Sequence, residues 1–287
     1  MTDSAVMLAL VGFGEAGQAF AKGWGARASV RAHDLRADQP QMRTAAAQLG
    51  VACHGDPAPA LANAGAVVCL VTADQALAAA TACAPHLMQG ALWLDGNSCA
   101  PGTKRAAARV IEAAGGRYVD LAIVAPVHPR LHRTPGLLSG PHAAAALSLG
   151  QALDMDWRIA GESVGDASAI KMLRSVMIKG FEALSAECLL AARRAGVEQA
   201  VLASLQASDP GWDWQARGAY NLERMMVHGT RRAAEMREVA ATLRELGLPD
   251  AMAQATAEWQ DRLADLHLPG GAADLADRAD RILASLT

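Results

Sequence analysis

Lysine is scarce in this chain of 287 residues: Lys22, Lys104, Lys171 and Lys179 stand against twenty-two arginines. Aromatic residues are few as well, at 4%, and the net charge is only −3. Without aromatic platforms or a long basic block, the sequence offers no surface for nucleic acid. There are five cysteines, Cys53, Cys69, Cys83, Cys99 and Cys188, and no two are spaced as CxxC. An odd, scattered set argues against a disulfide framework or a zinc knuckle and fits a reducing cytoplasm. No stretch of about 20 residues is apolar enough to span a bilayer. The apolar run 5–11 has no basic region before it and a glycine loop after it, so it reads as a first strand rather than a secretory leader.

What is abundant is small and apolar. Hydrophobic residues make up 52%, largely alanine, the strongest helix former. The length suits one large or two ordinary domains. The first half alternates short apolar runs with helical stretches. Strands are expected at Val6–Val11, Ser29–Ala32, Ala66–Val71, Ala91–Leu94 and Arg117–Ala122, with an edge strand at Pro135–Ser139. Helices are expected around 15–25, 40–49, 56–63, 74–84 and 102–114. Such alternation predicts an α/β domain with a doubly wound parallel sheet of Rossmann type, residues 1–162. Beyond it the period changes to 3.6 residues over 167–195, 198–206, 215–246, 249–266 and 271–285. An all-helical domain, 163–287, is therefore expected, entered through a connector helix at about 167–195.

Gly12, Phe13, Gly14, Glu15, Ala16 and Gly17 spell G-x-G-x-x-G between a strand and a helix. The first glycine permits a tight turn, the second lets a pyrophosphate approach the backbone, and the third allows close helix–sheet packing. Asp34 lies 22 residues after Gly12, at the end of the second strand. A carboxylate there accepts hydrogen bonds from ribose hydroxyls and repels a 2′-phosphate, which favours NAD over NADP. Arg36 stands beside it and is able to bind such a phosphate, so both cofactors stay in play. Thr72 and Asn97 sit in turns after later strands, where a cofactor crevice forms in this architecture.

The segments GFGEAG at 12–17, VCLVTADQ at 68–75, DGNSCAPGT at 95–103, APV at 125–127 and Gly165 through Lys171 together resemble the β-hydroxyacid dehydrogenase superfamily, which includes 3-hydroxyisobutyrate and 6-phosphogluconate dehydrogenases. The later helices look like a divergent branch with its own C-terminal domain. The resemblance implies a Rossmann domain, a long interdomain helix and a helical dimerisation domain, hence a homodimer. It also implies reversible oxidation of a hydroxy acid, with Lys171 as general acid/base. A lysine suits that role because a desolvated ammonium exchanges its proton near neutrality, whereas arginine stays protonated.

Two segments depart from the family pattern. Arg174 and Ser175 stand where asparagines usually follow the lysine, and APVHPRLHR replaces the serine–glycine–glycine loop. His128 occupies the serine's place and is a candidate substrate contact, as are Ser175 on the face of Lys171 and Arg231 or Arg232 from the helical domain, whose guanidinium forks suit a carboxylate. His128 and His132 lack an acidic partner for a metal, so no metal site is expected. The leading expectation is an NAD(P)-dependent oxidoreductase acting on a small-molecule hydroxy acid or its oxo form. An imine reductase and a non-catalytic nucleotide-binding protein are the alternatives.

Overall fold

The computed structural model describes residues 6–286. The chain divides into two compact units, 1–171 and 172–287. The boundary falls inside the connector helix, nine residues beyond the expected 162/163.

In the first unit, strands and helices alternate: β1 (Val6–Val11), α1 (Glu15–Trp24), β2 (Ala28–His33), α2 (Pro40–Leu49), β3 (Ala52–His54), α3 (Pro57–Leu61), β4 (Ala66–Cys69), α4 (Ala76–Cys83), β5 (Leu92–Asp95), α5 (Pro101–Ala113) and β6 (Arg117–Ile123). Then come β7 (Gly136–Ser139), α6 (Ala143–Ala152) and β8 (Trp157–Gly161). One sheet holds all eight strands in the order β3-β2-β1-β4-β5-β6-β7-β8. Every neighbouring pair is parallel except β6 with β7. The order reverses between β1 and β4, and loops at the strands' C-terminal ends form a crevice at such a switch point. Both faces of the sheet are covered. One core gathers Leu8, Leu10, Phe20, Trp24, Leu94 and Leu121, and the other Val11, Leu61, Trp93, Ile111 and Tyr118. Alternate residues of β1 thus point to opposite cores, as the two-residue period of a strand dictates.

Three elements differ from the expectation. β3 has only three residues, too few to show a period. α6 is mostly alanine and leucine, so it carries no polar–apolar contrast to reveal it. The segment expected as an edge strand is internal: β8 pairs beyond β7 and takes the edge.

α7 (Asp166–Arg194) runs from the first unit into the second, which adds α8 (Glu198–Ser208), α9 (Trp214–Glu245), α10 (Ala251–Ala264) and α11 (Leu275–Ser285). The core of the second unit is built from Leu189, Leu190, Leu222, Met225, Leu263, Leu275 and Ile282. A Cβ at Gly229 would meet the Gln260 carbonyl at 2.4 Å, so the glycine lets α9 and α10 pack backbone to backbone. Among the described residues, no helix is long and apolar enough to cross a membrane.

Candidate functional site

The glycine loop joins β1 to α1. The Gly12 amide bonds the His33 carbonyl at 2.8 Å, and φ is +92° there, a conformation that glycine adopts without cost. A Cβ at Gly12 would lie 2.5 Å from the Leu70 carbonyl, and one at Gly17 would lie 2.4 Å from the Gly12 carbonyl. The two outer glycines are thus dictated by the protein's own packing. At Gly14 a Cβ would meet nothing within 4 Å. Space on that side is open where α1 begins. Gly14 is also the helix N-cap and supplies no side chain to bond the first-turn amides. Free amides and a helix dipole at an open, side-chain-free turn fit a pyrophosphate.

Asp34 is buried and oriented from two sides. Its Oδ2 accepts from the Phe13 amide at 2.9 Å, and its Oδ1 accepts from the Arg36 amide at 2.8 Å. The Arg36 Nε lies 3.5 Å from Oδ1 and its guanidinium is largely exposed. Glu15 and Thr72 are exposed and Ala16 is half-buried, whereas the Phe13 ring lies in the core, so only its backbone belongs to the loop surface. Asn97, expected as a cofactor contact, is buried at 3% exposure with its amide used internally. Its Nδ2 donates to Asp95 at 2.7 Å and to the Cys69 sulfur at 3.3 Å, while its Oδ1 accepts from the Val71 amide at 2.7 Å. Asn97 therefore braces the loops after β4 and β5 through its side chain.

Lys171, half-buried near the start of α7, donates from Nζ to the Ser98 hydroxyl at 2.5 Å. Ser98 lies in the DGNS segment beside Asn97, in the turn after β5. The first unit thus joins the proposed proton-transfer amine to a hydroxyl at the C-terminal end of β5. His128 is exposed in the loop after β6. His132 is buried against α1, where a Cβ at Gly23 would lie 2.0 Å from its Nδ1. Burial lowers the His132 pKa from 6.5, with Asp154 opposing that shift.

In the second unit, Lys179 is buried and pairs with Glu235 at 2.8 Å while donating to Ser175 Oγ at 3.1 Å. Arg231 is exposed, 3.5 Å from Glu235. With His228 and His267 it lines a cavity of about 710 Å³. Arg232 is committed elsewhere. Its guanidinium grips the Glu182 carboxylate through two hydrogen bonds, one of them 2.9 Å, and is 9% exposed. The guanidinium expected to meet a substrate carboxylate is here engaged by a carboxylate of the protein itself.

Residues 7–146 match the NAD binding domain of 6-phosphogluconate dehydrogenase, and residues 192–263 match a domain of unknown function, DUF1932. A conserved hypothetical protein from Sinorhizobium meliloti 1021 is 37% identical, with 99% of this chain and 98% of that chain covered and a TM-score of 0.77. The conserved protein MTH1747, whose structure is described as similar to 3-hydroxyacid dehydrogenases, is 32% identical over 93% of this chain and 100% of its own, at a TM-score of 0.71. The chain belongs to the β-hydroxyacid dehydrogenase superfamily. The 3-hydroxyisobutyrate dehydrogenase of Mycobacterium tuberculosis, solved with L-serine, shares the fold at 16% identity and a TM-score of 0.75, with 99% of this chain and 100% of that chain covered. The NAD binding domain match supports a nicotinamide cofactor and, with it, a nucleotide-dependent oxidoreductase.

A buried group that sequence reasoning missed lies behind this site. Lys104, at 0% exposure, contacts both Asp95 and Asp120, and the Tyr118 hydroxyl donates to Asp95 at 2.7 Å. Burial alone disfavours an ammonium, but the two carboxylates overcome it and hold the Lys104 pKa above its ordinary range. Burial and the neighbouring Asp95 push the Tyr118 phenol well up, so it stays protonated. The lysine scarcity drew attention to Lys104, but no spacing in the sequence pairs it with Asp120.

Proposed function

We propose that this superfamily member transfers hydride between NAD(H) and a small hydroxy acid or its oxo form, with Lys171 as the general acid/base. The observation that carries the reading is the Lys171–Ser98 hydrogen bond, in the same unit as the glycine loop. The nicotinamide, when bound, supplies the hydride acceptor or donor. The residues around the glycine loop suit this cofactor: the amides at the start of α1 face an open turn for the pyrophosphate, and Asp34 is oriented to accept from the ribose hydroxyls. Asp34 favours NAD, because a carboxylate repels a 2′-phosphate.

In the oxidation direction, neutral Lys171 takes the proton from the substrate hydroxyl as the C–H bond is broken. In reduction its ammonium returns a proton to the developing alkoxide. Ser98 accepts from Lys171, which aligns the amine and leaves the serine's own proton free to bond a substrate oxygen. An arginine at 171 could make the hydrogen bond but not the transfer, since it stays protonated. His128, Ser175 and Arg231 are the proposed substrate contacts, with Arg231 suited to the carboxylate.

A panel of hydroxy acids, alcohols and cyclic imines, followed by NADH and NADPH absorbance, tests the reading. Turnover of an acid that is lost in Lys171→Met, with cofactor affinity retained, is the expected result. Reduction of imines alone, indifferent to Lys171, would sink it. A homodimer through the helical unit is proposed as well, since Met177, Leu184 and Met252 are 72%, 59% and 66% exposed there. A mass of 29.8 kDa by analytical ultracentrifugation would refute the dimer.

A further inference from the structure

Asp95, the last residue of β5, and Asp120, in the middle of β6, are direct register partners, and both are buried. Like charges side by side on adjacent strands destabilise a sheet, and buried carboxylates demand a cation. Lys104 meets the demand for both. Its Nζ lies 3.0 Å from Asp95 Oδ1 and 3.3 Å from Asp120 Oδ1, and donates to the Asp95 carbonyl at 2.6 Å. What those two carboxylates then hold is the point of the arrangement.

We propose that Lys104 is a positioning residue for the Lys171–Ser98 pair, fixing both partners from one buried ammonium. On one arm, Asp95 Oδ1 accepts from the Asn97 amide at 3.0 Å and from its side chain at 2.7 Å. This sets the turn whose next residue is Ser98. On the other arm, Asp120 Oδ2 accepts from the Gly165 and Ser168 amides at 3.2 and 3.0 Å, and Oδ1 accepts from the Ser168 hydroxyl at 2.6 Å. Ser139 donates to Asp120 at 3.1 Å and accepts from the Ala167 amide at 3.0 Å. Asp120 and Ser139 thus satisfy amides of the first turn of α7 that have no partner within the helix. Lys171 follows Ser168 by three residues, on the same helical face. Without Lys104 the two carboxylates repel each other, and the loop and the helix end they hold move apart.

The inference rests on the reading of Lys171 as the proton-transfer group, but its test needs no turnover. With four lysines in the chain, 13Cε-lysine labelling of the full-length protein gives four resolvable NMR signals. The variants are Lys104→Met and Ser168→Ala, the second of which strands no charge and decides alone if the first does not fold. Expected in both are a displaced Lys171 signal and titration midpoint, unchanged Lys22 and Lys179 signals, and unchanged NADH affinity. If the parent turns over a hydroxy acid, kcat falls ~10- to 100-fold, as for a reacting group shifted by up to about 1 Å. A Lys171 signal and midpoint identical to the parent's in the folded variants overturns the proposal. A parent without activity on any acid defeats the dehydrogenase reading instead, and the lysine signals still decide this one.

Discussion

Replacing Arg232 with methionine separates a structural role from a substrate role at one residue. In the helical unit Glu182 is 2% exposed, and its carboxylate is met by Arg232 and by Gln260 Nε2 at 2.9 Å. Arg232→Met leaves that carboxylate buried with one neutral donor. Removing one member of a buried, hydrogen-bonded ion pair costs about 3–5 kcal/mol. With a urea slope of about 2 kcal/mol/M, the midpoint for unfolding the helical unit drops by roughly 2 M. The double variant Arg232→Met/Glu182→Gln removes both charges and recovers most of the loss, because the penalty comes from the stranded anion rather than from missing attraction. Urea titrations followed by circular dichroism measure both. An Arg232→Met protein with an unchanged midpoint and a raised KM for the acid would refute the reasoning and return Arg232 to the substrate.

Four further outcomes follow from the geometry. Gly17→Ala forces a methyl against the Gly12 carbonyl, and calorimetry is expected to show NADH affinity lower by ~10-fold or more, about 1.4 kcal/mol. Asp34→Ser removes the carboxylate while leaving Arg36, so the ratio of kcat/KM for NADP over NAD rises ~10-fold; an unchanged ratio means the ribose is read elsewhere. Lys171→Arg keeps a positive charge but is as inactive as Lys171→Met, since the guanidinium does not give up its proton; substantial turnover would falsify the proton-transfer role. The His132 pKa is lowered in the folded state, chiefly by burial. The unfolded chain therefore binds that proton first, so the contribution is whole above the ordinary 6.5 and is lost as pH falls through the lower folded value. Thermal melts of His132→Leu are expected to lose less stability than the parent over that interval, and parallel curves would contradict the assignment.

The glycine loop was legible because three glycines at fixed spacing, a strand before and a helix after all state the same local geometry. Asp34 was legible because it ends a strand at a set distance from Gly12. The long helices declared themselves by period, and α7 by its length. β3 and α6 did not, one being too short and the other too uniform in alanine. The support behind the site stayed hidden for another reason. Asp95 ends an apolar run, which looks like an ordinary strand end, and Asp120 interrupts one between Val119 and Leu121. Only the register of β5 against β6 puts the two side by side and explains Lys104. Arg232 is the converse case: its residue type suits a carboxylate, and the fold brings it one in Glu182, a pairing that no spacing in the sequence shows.

The burial of two lysines also bears on covalent targeting. Lys104 is sealed in the first unit and Lys179 is 5% exposed in the second. Amine-selective electrophiles, such as activated esters or aldehydes tuned to a nearby hydroxyl, meet the side chains of Lys22 on the surface and Lys171 beside Ser98. Most proteins of this size would scatter such a reagent over many surface amines. Here the preference for arginine over lysine confines such chemistry to two lysine side chains, one of them the residue where proton transfer is proposed.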